Sequence, residues 1–340
     1  MQRNGRKRVT LGEVAAAAGL SPAAVSRYLS GSLALPETTG RRIEAAIREL
    51  GYRPNHHARS LSRGRSDAIG LVISDIDNPF FSKLAAAVEQ AADERGIAVM
   101  LCSTSNRLER ELRYIRTLGV GVVDGLLFAT NHHDGDGALA QAINESARVV
   151  LIDEDVPGAD VSKIFSDNRQ GGYLAGRHLI EAGHRRLAYI GGPCDLMSAR
   201  ERAEGLHRAV AEAGADAAVV AERFGAYAIA FGAAAIGDLL DGPARPSAVF
   251  AGNDEILIGL LQVLAARGVA VGRDLSVVTF DDAGPLELIA PPITAIRQPI
   301  EDIGKKALDL LLQSIEGGVP ARTERLPVRL IERRSVAQIV

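Results

Sequence analysis

Polar residues recur directly after the predicted strands of the chain. They are Asp75, Asn78, Asp153, Asn253, Asp254, Asp281 and Asp282. Ligands of open α/β sheets bind beyond the carboxyl ends of the strands, and carboxylates and amides form hydrogen bonds with hydroxyl groups. Phe80, Phe81 and Tyr227 add rings that could stack on a sugar or a base. Each Asp or Asn could instead only cap a helix, so the interpretation as a ligand site depends on the group.

Motifs for catalysis or metal binding are weak. Residues 119–125 have several glycines, but their last spacing does not match the dinucleotide fingerprint and they lead into a predicted strand. A G-x-S-x-G nucleophile elbow is absent. The segment His132-His133-Asp134-Gly135-Asp136 suggests a metal site, but its polar surroundings without further ligands favour a solvated loop. We therefore expect no enzyme, no cofactor and no metal; the alternative is a sugar-binding or sugar-modifying protein.

The elements that position these residues alternate between strand and helix patterns from residue 67 onward. The predicted strands span residues 69–74, 97–102, 125–129, 149–153, 187–191, 248–251, 276–280 and 294–297. This alternation predicts α/β structure with parallel sheets covered by helices on both faces. Because the pattern restarts after about residue 167, two doubly wound lobes with a cleft between them are expected. The chain should cross between the lobes near residues 166–168, 297–299 and 326–327, which makes a hinge.

Charge is divided unevenly along the chain. Residues 1–65 contain twelve Lys and Arg against four Asp and Glu, a net charge of +8, whereas the remainder carries −11. A basic segment on an acidic body indicates a polyanionic partner for the basic part alone. Residues 1–8 are interpreted as a solvated tail.

The basic segment is patterned as three helices. Thr10 and Glu13 have the spacing of a capping box, Gly19 can end the first helix, and Ser21 can cap a second helix over residues 22–29. Two helices joined by a short turn with a Gly are the helix-turn-helix plan, whose second helix enters the major groove of DNA. A third helix is predicted over residues 37–50. Residues 54–61 predict a short helix, which is marginal alone in water.

These segments resemble the LacI/GalR family of bacterial transcriptional regulators. The matching pieces of the basic segment are EVA at 13–15, AGLS at 18–21, VSR at 25–27, LGYRPN at 50–55 and ARSL at 58–61. Those of the body are DIDNPFF at 75–81, VDG at 123–125, GNDE at 252–255, FD at 280–281, RQP at 297–299 and LIERRS at 330–335. The resemblance implies a three-helix headpiece with a hinge helix, followed by two lobes of the periplasmic-binding-protein type.

The resemblance also implies which residues contact DNA. They are Thr10, Ser21, Pro22, Ala23, Ser26, Arg27, Tyr28, Asn55, Ala58, Arg59 and Leu61. Arg27 is suited to guanine or a phosphate, and Ala23 offers a methyl contact to thymine. Leu61 would be the apolar wedge that enters the minor groove from the hinge helix and bends the site.

Three positions of the headpiece depart from the family pattern. Ala24 stands where the family usually has Thr, Tyr28 where it has a small apolar residue, and Gly40 where it has Arg. The first and third changes remove potential phosphate contacts. Weaker or more salt-sensitive DNA binding is therefore expected.

Carried over by position, ten residues line an effector cleft. They are Asn78, Phe80, Phe81, Asp153, Arg202, Tyr227, Asn253, Asp281 and Gln298, with Ser198 as an additional member. Their chemistry suits a sugar-like effector. Glu154 follows Asp153 where sugar binders often carry Arg, which disfavours an anionic effector unless Arg202 dominates or Glu154 points to solvent.

The expected domains are a headpiece with hinge over residues 1–62 and an effector-binding and dimerisation domain over 63–340. The first lobe would span about 68–166 plus 299–325, and the second about 167–297 plus 326–340. No apolar run is long enough for a membrane span, and Cys102 and Cys194 are interpreted as reduced thiols in buried or strand-end positions. We expect a cytoplasmic, nucleoid-associated repressor. Since no heptad tail follows residue 336, it would be a homodimer on a palindromic double-stranded DNA operator.

Overall fold

The structure is a computed structural model that describes residues 9–29, 33–52, 65–118, 121–146, 148–317 and 320–339. These residues belong to two compact units, Met1–Ser66 and Asp67–Val340. The predicted hinge helix at residues 54–61 lies outside the described residues. Within the described part of the chain, no helix combines the length and apolar character that a membrane crossing requires.

The first unit contains the three predicted helices. They are α1 (Leu11–Ala18), α2 (Pro22–Leu29) and α3 (Glu37–Leu50). The capping box forms as the sequence predicts, because Thr10 Oγ1 accepts from the Glu13 N–H and the Glu13 carboxylate accepts from the Thr10 N–H at 2.7 Å. Gly19 ends α1 with a φ of 64°, in the left-handed region that favours glycine. The helices pack around Val14, Ala15, Ala18, Val25, Ile43 and Ala46.

The second unit contains two six-stranded sheets. Sheet 1 has the order β11-β5-β4-β3-β1-β2 and is parallel throughout. Its strands are β1 (Ala68–Ile73), β2 (Ala98–Ser103), β3 (Leu126–Phe128), β4 (Val149–Ile152), β5 (Ser162–Ser166) and β11 (Thr323–Leu326). Sheet 2 has the order β12-β10-β9-β8-β6-β7, and only its β10–β12 pair is antiparallel. Its strands are β6 (Arg186–Gly191), β7 (Ala218–Phe224), β8 (Ala248–Ala251), β9 (Ser276–Phe280), β10 (Thr294–Arg297) and β12 (Arg329–Ile331).

Helices cover both faces of each sheet, which confirms the predicted fold class. They are α4 (Pro79–Asp93), α5 (Leu108–Leu118), α6 (Ala138–Glu145), α7 (Asn168–Glu181), α8 (Met197–Ala213), α9 (Ile229–Asp241), α10 (Asp254–Ala266) and α11 (Ile300–Glu316). Alternate residues of the sheet 1 strands face α4 with α11 on one side and α5 with α6 on the other. In the same way, sheet 2 lies between α7 with α8 and α9 with α10. Each sheet with its helices forms one lobe.

The chain passes between the lobes three times within the second unit. The passages follow β5, β10 and β11, at Ser166, Arg297 and Leu326. Gln298 ties two passages together, because its Oε1 accepts a hydrogen bond from Ser166 Oγ at 2.5 Å. The passages therefore form a connected hinge beside the cleft.

Candidate ligand cleft and nucleic-acid interface

The ten residues assigned to an effector cleft from the sequence lie together between the lobes. The residues that line this cleft are Asn78, Phe80, Phe81, Asn131, Asp153, Ser198, Arg202, Tyr227, Asn253, Glu255, Asp281 and Gln298. Asn131 and Glu255 are additional to the sequence assignment. Asn131 comes three residues after β3, so the rule that polar residues follow strands could have found it. Glu255 lies inside the first turn of α10, and the sequence analysis used it only as part of the family match at 252–255.

Asp153 and Asp281 occupy the first positions after central strands of the two sheets. Both have a positive φ, 71° and 74°, which for a residue other than glycine costs about 1–3 kcal/mol and is typical of functional sites. Burial raises the pKa of Asp153 to about 7, although the nearby Arg202 guanidinium opposes the shift. Burial likewise raises the pKa of Asp281, against Arg202 and a hydrogen bond from Gln298. These carboxylates can accept hydrogen bonds from ligand hydroxyl groups.

Arg202 is a cationic side chain at the floor of the cleft and is only 3% exposed. Its Nε donates to Asn168 Oδ1 at 2.9 Å and its Nη1 donates to the Gly252 carbonyl oxygen at 2.6 Å. The guanidinium carbon lies 3.6 Å from the centroid of the Phe280 ring. Several donors of Arg202 are therefore already engaged by the protein. The charge of Arg202 also offsets that of the nearby Asp153 and Asp281 carboxylates.

Asn78 makes contacts in both lobes that border the cleft. Its Oδ1 caps α4 by accepting from the Phe80 N–H at 2.8 Å, while its Nδ2 lies 3.3 Å from Asp254 Oδ1 and from Glu255 Oε2 of the other lobe. Burial, together with Asp281 and Glu255, raises the pKa of Asp254 to about 7. The helix-capping alternative and the position in the cleft therefore both hold for Asn78.

The cleft is closed by its own side chains. Ser198 Oγ and Tyr227 Oη lie 3.0 Å apart, and Gln298 Nε2 donates to Asp281 Oδ1 at 2.5 Å. Burial raises the pKa of Tyr227 to about 12, so that its hydroxyl keeps its proton. The remaining cavity is about 30 Å³, whereas ligand pockets usually have about 300–1,000 Å³. A ligand of sugar size requires the lobes to separate or these side chains to rearrange.

Glu154 does not point to solvent, so that alternative from the sequence is wrong. The side chain is 1% exposed, and its two oxygens lie 3.3 and 3.2 Å from the backbone N of Ser198 in the other lobe. Burial raises the pKa of Glu154, and the hydrogen bonds from Ser198 oppose this shift.

Two strand-end carboxylates serve the fold instead of the cleft. Asp75 accepts from the Asp77 N–H at 3.0 Å within its own loop. Asp282 forms ion pairs with Arg297 and Arg333. For these two residues, a local structural role accounts for the strand-end position.

Residues 132–136 form a loop, as the sequence predicts, but two of these residues also make contacts within the protein. His132 Nδ1 lies 3.0 Å from Oε1 of the buried Glu111, and this contact raises the pKa of His132. The Asp134 carboxylate accepts from the Leu139 and Ala140 N–H groups at the start of α6. Among the described residues, no three His, Cys, Asp or Glu side chains cluster as metal ligands would.

The two cysteines are free thiols in different surroundings. Cys102 is partly buried in β2, and Cys194 is exposed after β6. Cys194 follows a strand, as the sequence interpretation states, but it is not buried.

Helix α2 presents the headpiece residues that were assigned to DNA contacts. Ser21, Pro22, Ala23 and Arg27 are exposed, whereas Val25 faces the core of the three helices. Thr10 is also exposed, and Ser26 and Tyr28 are partly buried. Asn55, Ala58, Arg59 and Leu61 lie outside the described residues, so their assignment stays a prediction.

Two departures from the family pattern in the headpiece belong to one packing change. Tyr28 lies against Gly40, because a Cβ atom at residue 40 would come within 2.6 Å of the Tyr28 hydroxyl. The same hydroxyl donates to Glu44 Oε1 at 3.3 Å. A larger residue at position 40 would displace the tyrosine, so Tyr28 and Gly40 are mutually compatible substitutions.

Comparison with known proteins supplies the family. Residues 10–55 match the model for bacterial regulatory proteins of the lacI family, and residues 177–336 match the periplasmic binding protein-like domain. The chain is 33% identical over 338 residues to the HTH-type transcriptional regulator DegA of Bacillus subtilis (strain 168), covering 98% of this chain and 99% of that protein.

Two solved structures extend the likeness over nearly the whole chain. The Lac repressor dimer bound to operator and the anti-inducer ONPF matches with a TM-score of 0.85 at 29% identity, covering 97% of this chain and 100% of that one. The complex of the transcriptional regulator CelR with cellobiose matches with a TM-score of 0.73 at 34% identity, covering 96% and 100%. With its helix-turn-helix unit and its two-lobed cleft, the chain belongs to the lacI family of bacterial regulatory proteins.

Proposed function

We propose that the cleft binds a neutral sugar or polyol and that occupancy of the cleft sets the affinity of the chain for DNA. Membership in the lacI family makes the chain a sequence-specific, DNA-binding regulator of transcription under effector control. The observation that carries the proposal is the convergence of carboxylates, amides and aromatic rings in one cleft. The CelR–cellobiose complex is a structural precedent for such a ligand.

The charges around the cleft favour a neutral effector over a phosphorylated one. Asp153, Asp281 and Glu255 line it, and Arg202 is already bound to Asn168 and Gly252. A phosphate would have to lie beside several carboxylates with a single cation that is not free to turn toward it. Hydroxyl groups, by contrast, can donate to the carboxylates and accept from the amides.

The DNA-binding face would be the exposed side of α2, continued by the hinge residues 55–61. We propose that residues 1–62 bind DNA and that residues 63–340 bind the effector and dimerise. The operator-bound Lac repressor dimer supports a homodimer on a palindromic operator. The edge strand β2 also supports a second copy, since Met100 and Leu101 are 41% and 43% exposed.

The free thiols and the DNA partner support a cytoplasmic site of action at the nucleoid. Repression is the mode of regulation that we propose, with the sugar-dependent change in DNA affinity as the switch.

A ligand screen on the full chain tests the proposal. Thermal shift and calorimetry would compare neutral sugars and polyols with sugar phosphates and purines. We expect a neutral sugar to stabilise the wild type and to bind Asp281→Ala at least about tenfold more weakly, since a lost hydrogen bond to a charged group costs about 1.5–3 kcal/mol.

The control for this screen is Asp216→Ala, which removes an exposed carboxylate of the loop between α8 and β7 that does not line the cleft. It should bind the sugar as the wild type does. Stabilisation by phosphates alone, or unchanged sugar binding by Asp281→Ala, would contradict the proposal.

A further inference from the structure

Helix α8 begins without a capping side chain of its own. Leu196 occupies its N-cap and makes no side-chain hydrogen bond. The first N–H groups of a helix lack partners inside the helix, and a Leu at this position cannot accept from them. These N–H groups therefore need an acceptor other than the N-cap side chain.

Glu154 supplies this acceptor from the opposite lobe. It follows β4 of sheet 1, and both of its carboxylate oxygens lie within 3.3 Å of the backbone N of Ser198, the second residue of α8. The amino end of a helix carries a partial positive charge and favours an anion. The anion at the amino end of α8 is thus a side chain of the same chain.

The position of this carboxylate bears on ligand selection. Ser198 and Arg202 lie one turn apart on α8, and both line the cleft. These are the groups that an anionic ligand would seek: a helix amino end and a guanidinium. Glu154 already accepts from the first of them, and any anion bound next to it would meet its charge.

A second contact holds α8 against sheet 1. Arg325 of β11 donates to the Glu201 carboxylate with Nη1 at 2.7 Å and Nη2 at 2.8 Å. Glu201 is 2% exposed and also accepts from Arg169 at 2.7 Å. The first turns of α8 are therefore fastened to the opposite lobe at two places, which keeps Glu154 at the helix end while the cleft is closed.

We propose that Glu154 is a specificity-determining residue that acts as a resident anion at the amino end of α8 and excludes anionic effectors from the cleft. The inference rests on the proposed function of the cleft and adds the residue that enforces its preference for neutral ligands. Loss of Glu154 should open an anion subsite at the Ser198 N–H, and the charge of Arg202, one turn further along α8, would favour an anion there without any new hydrogen bond from Arg202.

The test measures binding of inorganic phosphate to the full chain by calorimetry at constant ionic strength. Wild type should show no saturable binding in the millimolar range. Glu154→Ala should bind phosphate at least tenfold more tightly, and Glu154→Gln should show a smaller gain, because its amide still fills the space without the charge. Circular dichroism checks that each variant is folded. If Glu154→Ala does not fold, Glu154→Gln alone tests the inference.

The matched control is Glu204→Gln, which removes one charge from the exposed side of the same helix. Phosphate binding should stay at the wild-type level in this variant. Equal phosphate affinity in wild type and the Glu154 variants, or an equal gain in Glu204→Gln, would overturn the inference.

Failure of this inference is distinct from failure of the proposed function. The phosphate measurement needs neither DNA nor a known effector. A wild type that binds a neutral sugar and also inorganic phosphate would keep the proposed function and lose the role of Glu154. A wild type that binds neither a neutral sugar nor phosphate, while Glu154→Ala gains phosphate binding, would keep the role of Glu154 and contradict the proposed function.

Discussion

Asp153 and Asp281 are equivalent residues of the two lobes. Each follows a central strand, each has a positive φ, and each lies near Arg202. The strained backbone places both carboxylates in the cleft, where burial makes them costly to ionise. Such an arrangement weakens the closed protein in the absence of a ligand that satisfies these groups, which suits a cleft that has to open.

Asp153→Asn should change how stability depends on pH. The pKa of Asp153 is about 7 in the folded chain, against an ordinary value of 3.8. Between these values the folded state holds a proton that the unfolded state has lost, so the free energy of unfolding falls as pH rises from about 4 to about 7. The slope is at most about 1.4 kcal/mol per pH unit for one proton. Asn tolerates a positive φ and removes this contribution.

Thermal unfolding between pH 5 and pH 8 measures the effect. Asp153→Asn should lose less stability than the wild type as the pH rises, while Asp216→Asn should follow the wild type. Part of the dependence should remain, because Asp254 and Asp281 also have raised pKa values. Superimposable pH profiles for wild type and Asp153→Asn would show that Asp153 is ionised normally.

At the scale of elements, paired glycines let helices cross in close contact. A Cβ atom at Gly172 of α7 would lie 2.0 Å from the Arg202 carbonyl oxygen, and one at Gly205 of α8 would lie 2.1 Å from the Arg169 carbonyl oxygen. The same arrangement recurs on the other face of sheet 2 between α9 and α10, at Gly232 and Gly259. The close α7–α8 crossing sets the position of Arg202 and Ser198 in the cleft.

Gly205→Ala should therefore destabilise the chain by about 1–3 kcal/mol or more, because the new methyl group must push two backbones apart. Gly237→Ala is the matched control inside α9, where the nearest atom is the end of the Arg267 side chain at 3.5 Å. It should stabilise the chain by up to about 1 kcal/mol, through helix propensity.

Urea unfolding of the two variants decides this prediction. Opposite signs support the close crossing, and Gly205→Ala should also weaken sugar binding. A shift of the same sign and size in both variants would mean that α7 and α8 are not in backbone contact.

Local signals in the sequence predict elements well where a residue acts through its neighbours. The capping box of Thr10 and the boundaries of α2 and α3 follow from such signals and are confirmed. Strands β5, β7, β11 and β12 were not predicted. Strands β7, β11 and β12 lie at sheet edges and are partly exposed, so they lack the continuous apolar pattern of a buried parallel strand.

At the scale of the whole molecule, contacts between the lobes could not be read from the pattern. Asn78 with Asp254 and Glu154 with Ser198 join residues far apart in sequence, and their geometry depends on how the two sheets face each other. The placement of Asp153 and Asp281 at the cleft was foreseeable, because each follows a strand of its own sheet and ligands bind beyond the carboxyl ends of such strands. The buried orientation of Glu154 was not, since a Glu after a strand end is equally compatible with solvent.

Effector binding and DNA binding are linked thermodynamically. Opening of the cleft would break contacts between the lobes such as that of Glu154 with Ser198, and the passages at Ser166, Arg297 and Leu326 are the places where the lobes can turn. If the effector alters DNA affinity, DNA must alter effector affinity by the same factor. We expect the basic charge of residues 1–65 to supply the salt-dependent part of DNA binding.

The decisive measurement is the affinity of the full chain for an inverted-repeat DNA, selected from a random library, with and without a neutral sugar that calorimetry shows to bind. The account predicts that the sugar changes the dissociation constant for this DNA by about 5–150-fold in the wild type. Asp281→Ala should bind the DNA with wild-type affinity and require at least about tenfold more sugar for the same change. An unchanged dissociation constant in the wild type at saturating sugar would contradict the coupling of cleft and DNA.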